Sequence, residues 1–330
     1  MRIPDFFHTY PGMYVAQSFC HAVIAAVITD RAMKAWKIYD PVIRQRFRLI
    51  VILFPIFSFP LYQVINPDRS LAPFRLEAVF DMNRWINMEI WGVFPLGLIF
   101  LILLVGTALI FLFQEMIPVL RHSLGSRIME HEGRQRESDP FIENASRALS
   151  IETPEVFIID DDEPVLFSTT GKQPVIFVST GLTGALTGDQ LQAALAHEIA
   201  HIARSRRPLL IAVFILRIIM FFNPVVLIKF RRAVRDEEKI CDDIAVSLTH
   251  DPKALAGALK IFYQRPEDPR GSGQPRLPAF TSTLEEYSHN LHLESRISRL
   301  EQGLTEHHEA ETFPFVVTLL VVAVLNYFVV

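Results

Sequence analysis

Two cysteines in 330 residues exclude a disulfide-stapled secreted domain. Cys20 lies in an apolar stretch and Cys241 in a charged one, which argues against a mutual bridge and for packing roles. Basic charge is not in excess either. The net charge is −4 and the sequence pI is near 6.3, which argues against a nucleic-acid binder. Half of the residues are hydrophobic, so the chain is not intrinsically disordered. No internal repeat or low-complexity tract is present. The most informative shortage is local. Four stretches contain no Asp, Glu, Lys or Arg at all: 6–29, 49–67, 90–114 and 312–330. Charge is crowded into what remains, so the chain reads as two materials joined together.

An apolar run of about 18 residues or more is long enough to cross a bilayer as a helix. This predicts transmembrane helices over about 12–29, 49–67 and 90–114, with a last one over 312–330. Pro55 and Pro60 are expected to kink the second. The first contains Gln17, Ser18 and His21. With only Arg2 as a basic leader and no small-residue cleavage site, it reads as an uncleaved helix rather than a signal peptide. His21 is expected to pack between helices rather than relay protons. Orientation follows the basic residues of short loops. Loop 30–48 carries Arg31, Lys34, Lys37, Arg44, Arg46 and Arg48 against Asp30 and Asp40, and Arg121, Arg127, Arg134 and Arg136 follow the third span. Both regions are therefore expected in the cytoplasm, with the N-terminus and loop 68–89 outside. Residues 1–114 become the membrane part, 115–311 a cytoplasmic body and 312–330 its second tether.

Within that body, 140–150 reads as a short helix. Val156–Ile159, Val165–Ser168 and Val175–Ser179 read as strands from their β-branched and aromatic content. Thr187 and Gln190 form a capping-box pattern. The helix they open carries Leu191, Leu195, Ile199 and Ile202 to about Arg204.

That helix contains His197-Glu198-Ile199-Ala200-His201, the pattern H-E-x-x-H. Histidines at i and i+4 share a face and can hold one Zn²⁺. The Glu beside the first can hold a water and take its proton. By composition the pattern arises by chance in roughly one chain of this length in a hundred. The ordinary alternative is a helix with two surface histidines and a solvated Glu. Ala193, Ala194, Ala196 and Ala200 thin the helix for close approach of other elements. A hydrolytic zinc site needs a third protein ligand. Downstream lies Arg235-Asp236-Glu237-Glu238-Lys239-Ile240-Cys241-Asp242-Asp243. On a helix, Glu238 and Asp242 share a face, so Glu238 can complete the metal site while Asp242 orients a ligand His. A solvated acidic face is the plain alternative for the same run.

These residues resemble the membrane zinc metallopeptidases that comprise the HtpX and CAAX-prenyl-protease family and the beta-lactam-sensing receptor proteases. The resemblance covers about 150–303 and extends to the layout of the spans. Ser179-Thr180-Gly181-Leu182 looks like the family's lead-in to the zinc helix. Phe222-Asn223-Pro224 followed by Glu238-Lys239-Ile240-Cys241-Asp242 resembles the pattern F-N-P…E-x-x-C-D. The resemblance implies a zincin-like (gluzincin) α+β metalloprotease domain on an α-helical membrane protein. It implies Glu238 rather than Glu237 as ligand, with Cys241 beside the metal rather than on it. The family's strand before the zinc helix binds substrate as an added β-strand; the matching segment is Val175, Ile176, Phe177 and Val178. Leu293-Glu294-Ser295-Arg296-Ile297 resembles the late L-E-x-R-I segment. The chain has His289-Asn290-Leu291-His292 where a His-Pro pair is expected, so His289, His292 and Arg296 are all candidates for stabilising the transition state. The family's N-A-F-A segment is replaced by Val165-Leu166-Phe167-Ser168.

Residues 208–228 are apolar apart from Arg217. Were they a plain span, His201 and Glu238 would lie on opposite sides of about 30 Å of hydrocarbon, and one zinc could not join them. A re-entrant or membrane-skimming hairpin is expected instead, with Arg217 and Asn223-Pro224 disfavouring a simple crossing. Pro and Gly crowd 265–280, which reads as a loop.

The expected protein is a zinc endopeptidase of a bacterial-type inner membrane, with one Zn²⁺ per chain held by His197, His201 and Glu238. Glu198 is its general base, its substrates are proteins or peptides, membrane proteins among them, and lipid is its surroundings. A homo-oligomer is open. The rival readings are a non-catalytic receptor or scaffold with a structural zinc, a transporter-like protein with a chance H-E-x-x-H, and a signal-transducing regulatory protease. Loop 68–89 is the only sizeable outside loop, which favours quality control or proteolysis of a regulator over ligand sensing.

Overall fold

The computed structural model describes residues 6–90, 92–117, 134–135, 139–169, 173–205, 215–263, 293–303 and 312–330. In chain order the helices that matter are α1 (Tyr10–Ala35), α2 (Pro41–Ile65), α3 (Leu96–Phe111), α4 (Pro140–Ala148), α5 (Thr180–Ala185), α6 (Gly188–Ser205), α7 (Pro224–Thr249), α8 (Pro252–Tyr263), α9 (293–302) and α10 (Thr312–Tyr327). The strands are β1 (Arg134–Gln135), β2 (Glu155–Ile159), β3 (Leu166–Thr169) and β4 (Val175–Ser179). The described residues are mostly helical, with one four-stranded sheet and a two-stranded hairpin, Glu89–Ile90 with Phe94–Pro95.

Contacts divide the chain into two units. One holds Met1–Met129, Leu209–Asp236 and His307–Val330; the other holds Glu130–Pro208 and Glu237–Glu306. Helix α7 begins in the first and ends in the second.

Among the described residues of the first unit, three helices are long and apolar enough to cross a membrane: Tyr10–Ala35, Pro41–Ile65 and Leu96–Gln114. Helix α2 runs through both Pro55 and Pro60 as one element. The basic loop expected over 30–48 is mostly helix. Arg31 and Lys34 sit on the last turns of α1, and Arg44, Arg46 and Arg48 on the first turns of α2. The expected last span is shorter than the rest. Helix α10 has 16 residues. At about 1.5 Å per residue it is some 24 Å long, short of the hydrocarbon thickness. Beyond it the chain turns and Val329 bridges to Phe80. His21 is buried, with Nδ1 2.6 Å from the Ser58 hydroxyl and its ring edge-on to Tyr62. That is the helix-packing role expected of it.

Of the apolar segment 208–228, residues 215–228 are described. A helical turn over 215–219 gives way to a turn at Met220–Phe222, and α7 starts at Pro224. The break has a local cause. Asn223 caps α7: its Oδ1 accepts from the amides of Val225 and Val226, while its Nδ2 donates to the Ser18 carbonyl of α1. Pro224 occupies the first helical position, where a missing N–H costs nothing.

The second unit is α+β. Its sheet has the order β1-β2-β4-β3; β2 and β4 are parallel, while β1 pairs antiparallel with β2 and β3 antiparallel with β4. Helix α6 is packed on both sides. Ala194, Leu195, Ile199 and Ile202 meet Val156, Ile176 and Val178 of the sheet, with Leu182 and Ala258 in the same cluster. Ala193 and Ala196 meet Ala245, Leu255, Leu259, Leu293 and Leu300 of α7, α8 and α9. The small alanines let both layers approach one helix closely.

Two devices fix where α6 begins. Thr187 and Gln190 exchange side chain–backbone hydrogen bonds at 3.0 and 3.3 Å, the expected capping box. Upstream, the buried Ser179 caps α5 through Leu182 N–H, accepts from Val165 N–H and donates to the Glu163 carbonyl. Gly181 donates its amide to the Asp161 carbonyl, and an added Cβ there would lie 2.1 Å from the Asp162 oxygen. Only glycine fits that approach.

Candidate metal centre

Helices α6 and α7 bring His197, His201 and Glu238 together. Each offers a ligand atom, and those atoms lie within 4.8 Å of one another; among the described residues this is the group suited to hold a metal. The two Nε2 atoms are 3.0 Å apart. Glu238 Oε2 is 3.6 Å from Nε2 of His197, and Oε1 is 3.6 Å from Nε2 of His201. Donors on a tetrahedral zinc, each at about 2.0–2.1 Å, stand about 3.3 Å apart. Two imidazoles and one carboxylate at these spacings fit such an ion.

Around these atoms lies a ring of supports. Asp242, 1% exposed at its side chain, places Oδ1 3.1 Å from Nδ1 of His197. Arg296 of α9 grips Asp242 with Nε at 2.8 Å and Nη2 at 2.7 Å, and reaches Glu238 Oε2 with Nη1 at 3.0 Å. Its donors thus serve the two acids. Cys241, fully buried, sets Sγ 3.5 Å from Nδ1 of His201. Glu198 projects from α6 beside the two histidines and accepts a 2.6 Å hydrogen bond from Ser168 of β3. Ser168 belongs to no motif in the sequence. Its signal was the serine that ends Val165–Ser168 where the resembling family keeps an alanine.

Charges here are strongly perturbed. Burial alone would lower the pKa of His197, but Asp242 and Glu238 outweigh it and raise the group to about 9. Burial would raise Glu238, yet the His197 hydrogen bond and the Arg296 charge hold it down at about 2. Asp242 is likewise held well below the usual carboxylate range, against burial, by His197 and Arg296. A metal can take His197 only in its neutral form. Below pH 9 it must therefore displace a proton, and its affinity is expected to fall about tenfold per pH unit as the pH drops from 9 toward 6. Titration calorimetry of zinc binding in buffers of different ionisation enthalpy should detect about one proton released per ion at pH 7. Release of none would mean that His197 is already neutral at pH 7 and that its pKa is not raised.

One expectation is overturned. Val175, Ile176, Phe177 and Val178 do not form an open edge for substrate. Their strand, β4, is hydrogen-bonded to β2 on one side and β3 on the other, so its backbone groups are already used. Ile176 and Val178 are core residues. Among the described residues the edge of the sheet beside β4 is β3, Leu166–Thr169. His289, His292 and the loop 265–280 lie outside the described residues.

The H-E-x-x-H helix, the downstream Glu and the apolar helices are features of the membrane metallopeptidases as a class. Comparison with known proteins gives the family. The family model described as BlaR1 peptidase M56 matches residues 81–257, more than half of the chain, and the chain belongs to that family. It is also similar to a protein named as a Protease HtpX homolog from Streptococcus gordonii, 25% identical over 149 residues, which are 43% of this chain and 50% of that one. A second relative is a plastoglobule-localized metallopeptidase of the chloroplast from Arabidopsis thaliana. It is 27% identical over 164 residues, 47% of each chain. The chain thus spans about half the length of the curated relatives it matches. No solved structure matches it at a significant level. Family membership implies a metal, and the donor set of α6 and α7 could hold one.

Proposed function

We propose that this protein is a zinc-dependent endopeptidase of a bacterial-type inner membrane, and that it cleaves protein substrates at the cytoplasmic membrane surface. The observation that carries the reading is the convergence of His197, His201 and Glu238 with Glu198 alongside. Zinc bound there would polarise the scissile carbonyl and acidify the attacking water. Glu198 takes the proton of that water and delivers it to the leaving amine. Ser168 holds one oxygen of that carboxylate in place. Asp242 orients His197, and Arg296 ties Asp242 to Glu238, which makes it a support for the ligands rather than for the transition state. Substrate is read as an extended strand added beside β3, where strand pairing uses the open backbone groups of Leu166–Thr169.

Placement at the membrane rests on two supports. Basic residues cluster on the facing ends of α1 and α2, in keeping with a cytoplasmic side. Ligand atoms of His201 and Glu238 lie within 4.8 Å of each other. A single crossing by 208–228 would separate them by about 30 Å, so a re-entrant or skimming segment is the consistent reading. A structural zinc would be closed by four protein ligands. The three that converge here among the described residues favour catalysis.

The test uses the full chain in detergent. Elemental analysis should find about one zinc per chain, lost in His197→Ala and in His201→Ala. Cleavage of unfolded casein should stop with a chelator and return with zinc. Protein without zinc, or cleavage that continues under chelation, would end this reading.

A further inference from the structure

We propose that Cys241 is the residue that positions His201, so that the two histidines of the centre are held by two different chemistries, a carboxylate for one and a thiol for the other. This rests on the reading of His197, His201 and Glu238 as metal ligands.

Both histidines turn Nε2 toward the ligand cluster, the two atoms being 3.0 Å apart. Each ring therefore has Nδ1 left to place. For His197, Nδ1 lies 3.1 Å from Asp242 Oδ1. For His201, Nδ1 lies 3.5 Å from Cys241 Sγ. The two supports are consecutive residues of α7. Successive positions on a helix project about 100° apart, so a single turn can reach both rings. Cys241 is 0% exposed, and so water does not compete for its sulfur.

The chemistry follows from the tautomer. An imidazole that ligates through Nε2 carries its proton on Nδ1, and that N–H needs an acceptor. Sulfur is a weak one, but it is uncharged at neutral pH. A carboxylate at this position would be a fourth beside Glu237, Glu238 and Asp242 and would add to their negative charge. The thiol gives His201 direction without that cost. Sγ meets Nδ1 and not the Nε2 side of the ring, so Cys241 supports a ligand without becoming one.

Cys241→Val and Cys241→Ser separate this role from packing. Valine fills similar space but accepts nothing; serine accepts. Zinc affinity of the purified full chain, measured by competition with a chromogenic chelator, is expected to fall about tenfold in the valine variant and to stay within about threefold of wild type in the serine variant. Cobalt substituted for zinc gives a second readout. Its d–d absorption should change in Cys241→Val and be kept in Cys241→Ser, and wild type should show no thiolate-to-cobalt charge-transfer band. Unchanged affinity in Cys241→Val overturns the proposal. So does equal loss in both variants, which would mean packing, and so does a charge-transfer band that vanishes in Cys241→Ser, which would make Cys241 a ligand. Wild type that binds no metal would instead overturn the metallopeptidase reading itself.

Discussion

Glu198→Gln is expected to reduce peptide-bond cleavage about a thousandfold while leaving the metal bound. The size follows from the role. A positioned general base contributes roughly 10²–10⁴ in rate. Gln keeps the shape of Glu198 and can still accept from Ser168, whose hydroxyl donates at 2.6 Å. It cannot accept the proton of the attacking water. Glu198 is also absent from the converging group of His197, His201 and Glu238, so zinc content should be unchanged. Loss of binding and loss of catalysis are thereby separated: kcat falls and KM holds. Cleavage near the wild-type rate would refute the assignment. Loss of zinc together with activity would move Glu198 from the chemistry into the ligand set.

Local signals in the sequence carried furthest. The capping box of Thr187 and Gln190, the apolar periodicity of α6 and the strand at 175–179 depend on residues a few positions apart, and each has its structural counterpart. The acidic run of α7 shows where such reading stops. A solvated face explains Asp236, Glu237, Glu238, Asp242 and Asp243 as well as a metal site does, because the sequence gives no partner for any of them. In the structure each has one. Asp236 pairs with Arg48, Glu237 with Arg204, Asp242 with Arg296 and Asp243 with Arg299, while Glu238 turns to the histidines. The cations lie 33 to 188 positions away in the chain. No spacing rule spans that distance.

The substrate strand illustrates the opposite case, a signal present but misweighted. Val175-Ile176-Phe177-Val178 is apolar throughout, which is the mark of a buried strand inside a sheet rather than at its rim. Leu166-Phe167-Ser168-Thr169 is half polar, as edge strands tend to be. Read physically, the composition points to β3 as the edge; the resemblance pointed one strand inward. The same strand carries Ser168 to Glu198, so the open edge and the proposed base meet at one residue.

Arg296→Met is expected to destabilise the unit formed by Glu130–Pro208 and Glu237–Glu306 by about 3 kcal/mol, since removal of one partner of a buried pair costs roughly 3–5 kcal/mol. The side chains of Arg296 and Asp242 are 11% and 1% exposed, so the carboxylate left behind has almost no access to water. Glu238, 33% exposed, is partly screened and contributes less. The loss should depend on metal. A zinc ion beside Glu238 supplies positive charge that Met cannot, so chelation should enlarge the difference between variant and wild type. The pH dependence has a definite sign. Glu238 is held at about 2 against an ordinary 4.5, so its share of stability is present above pH 4.5 and is lost as the pH falls through 2. Without Arg296 the depression of both acids shrinks, and the acid-unfolding midpoint should move upward. Denaturant titrations of wild type and Arg296→Met, with zinc and with chelator, at pH 7 and in steps from pH 5 down to pH 2, measure all three effects. Equal stability under every condition would mean that the guanidinium seen on Asp242 and Glu238 contributes nothing to holding them.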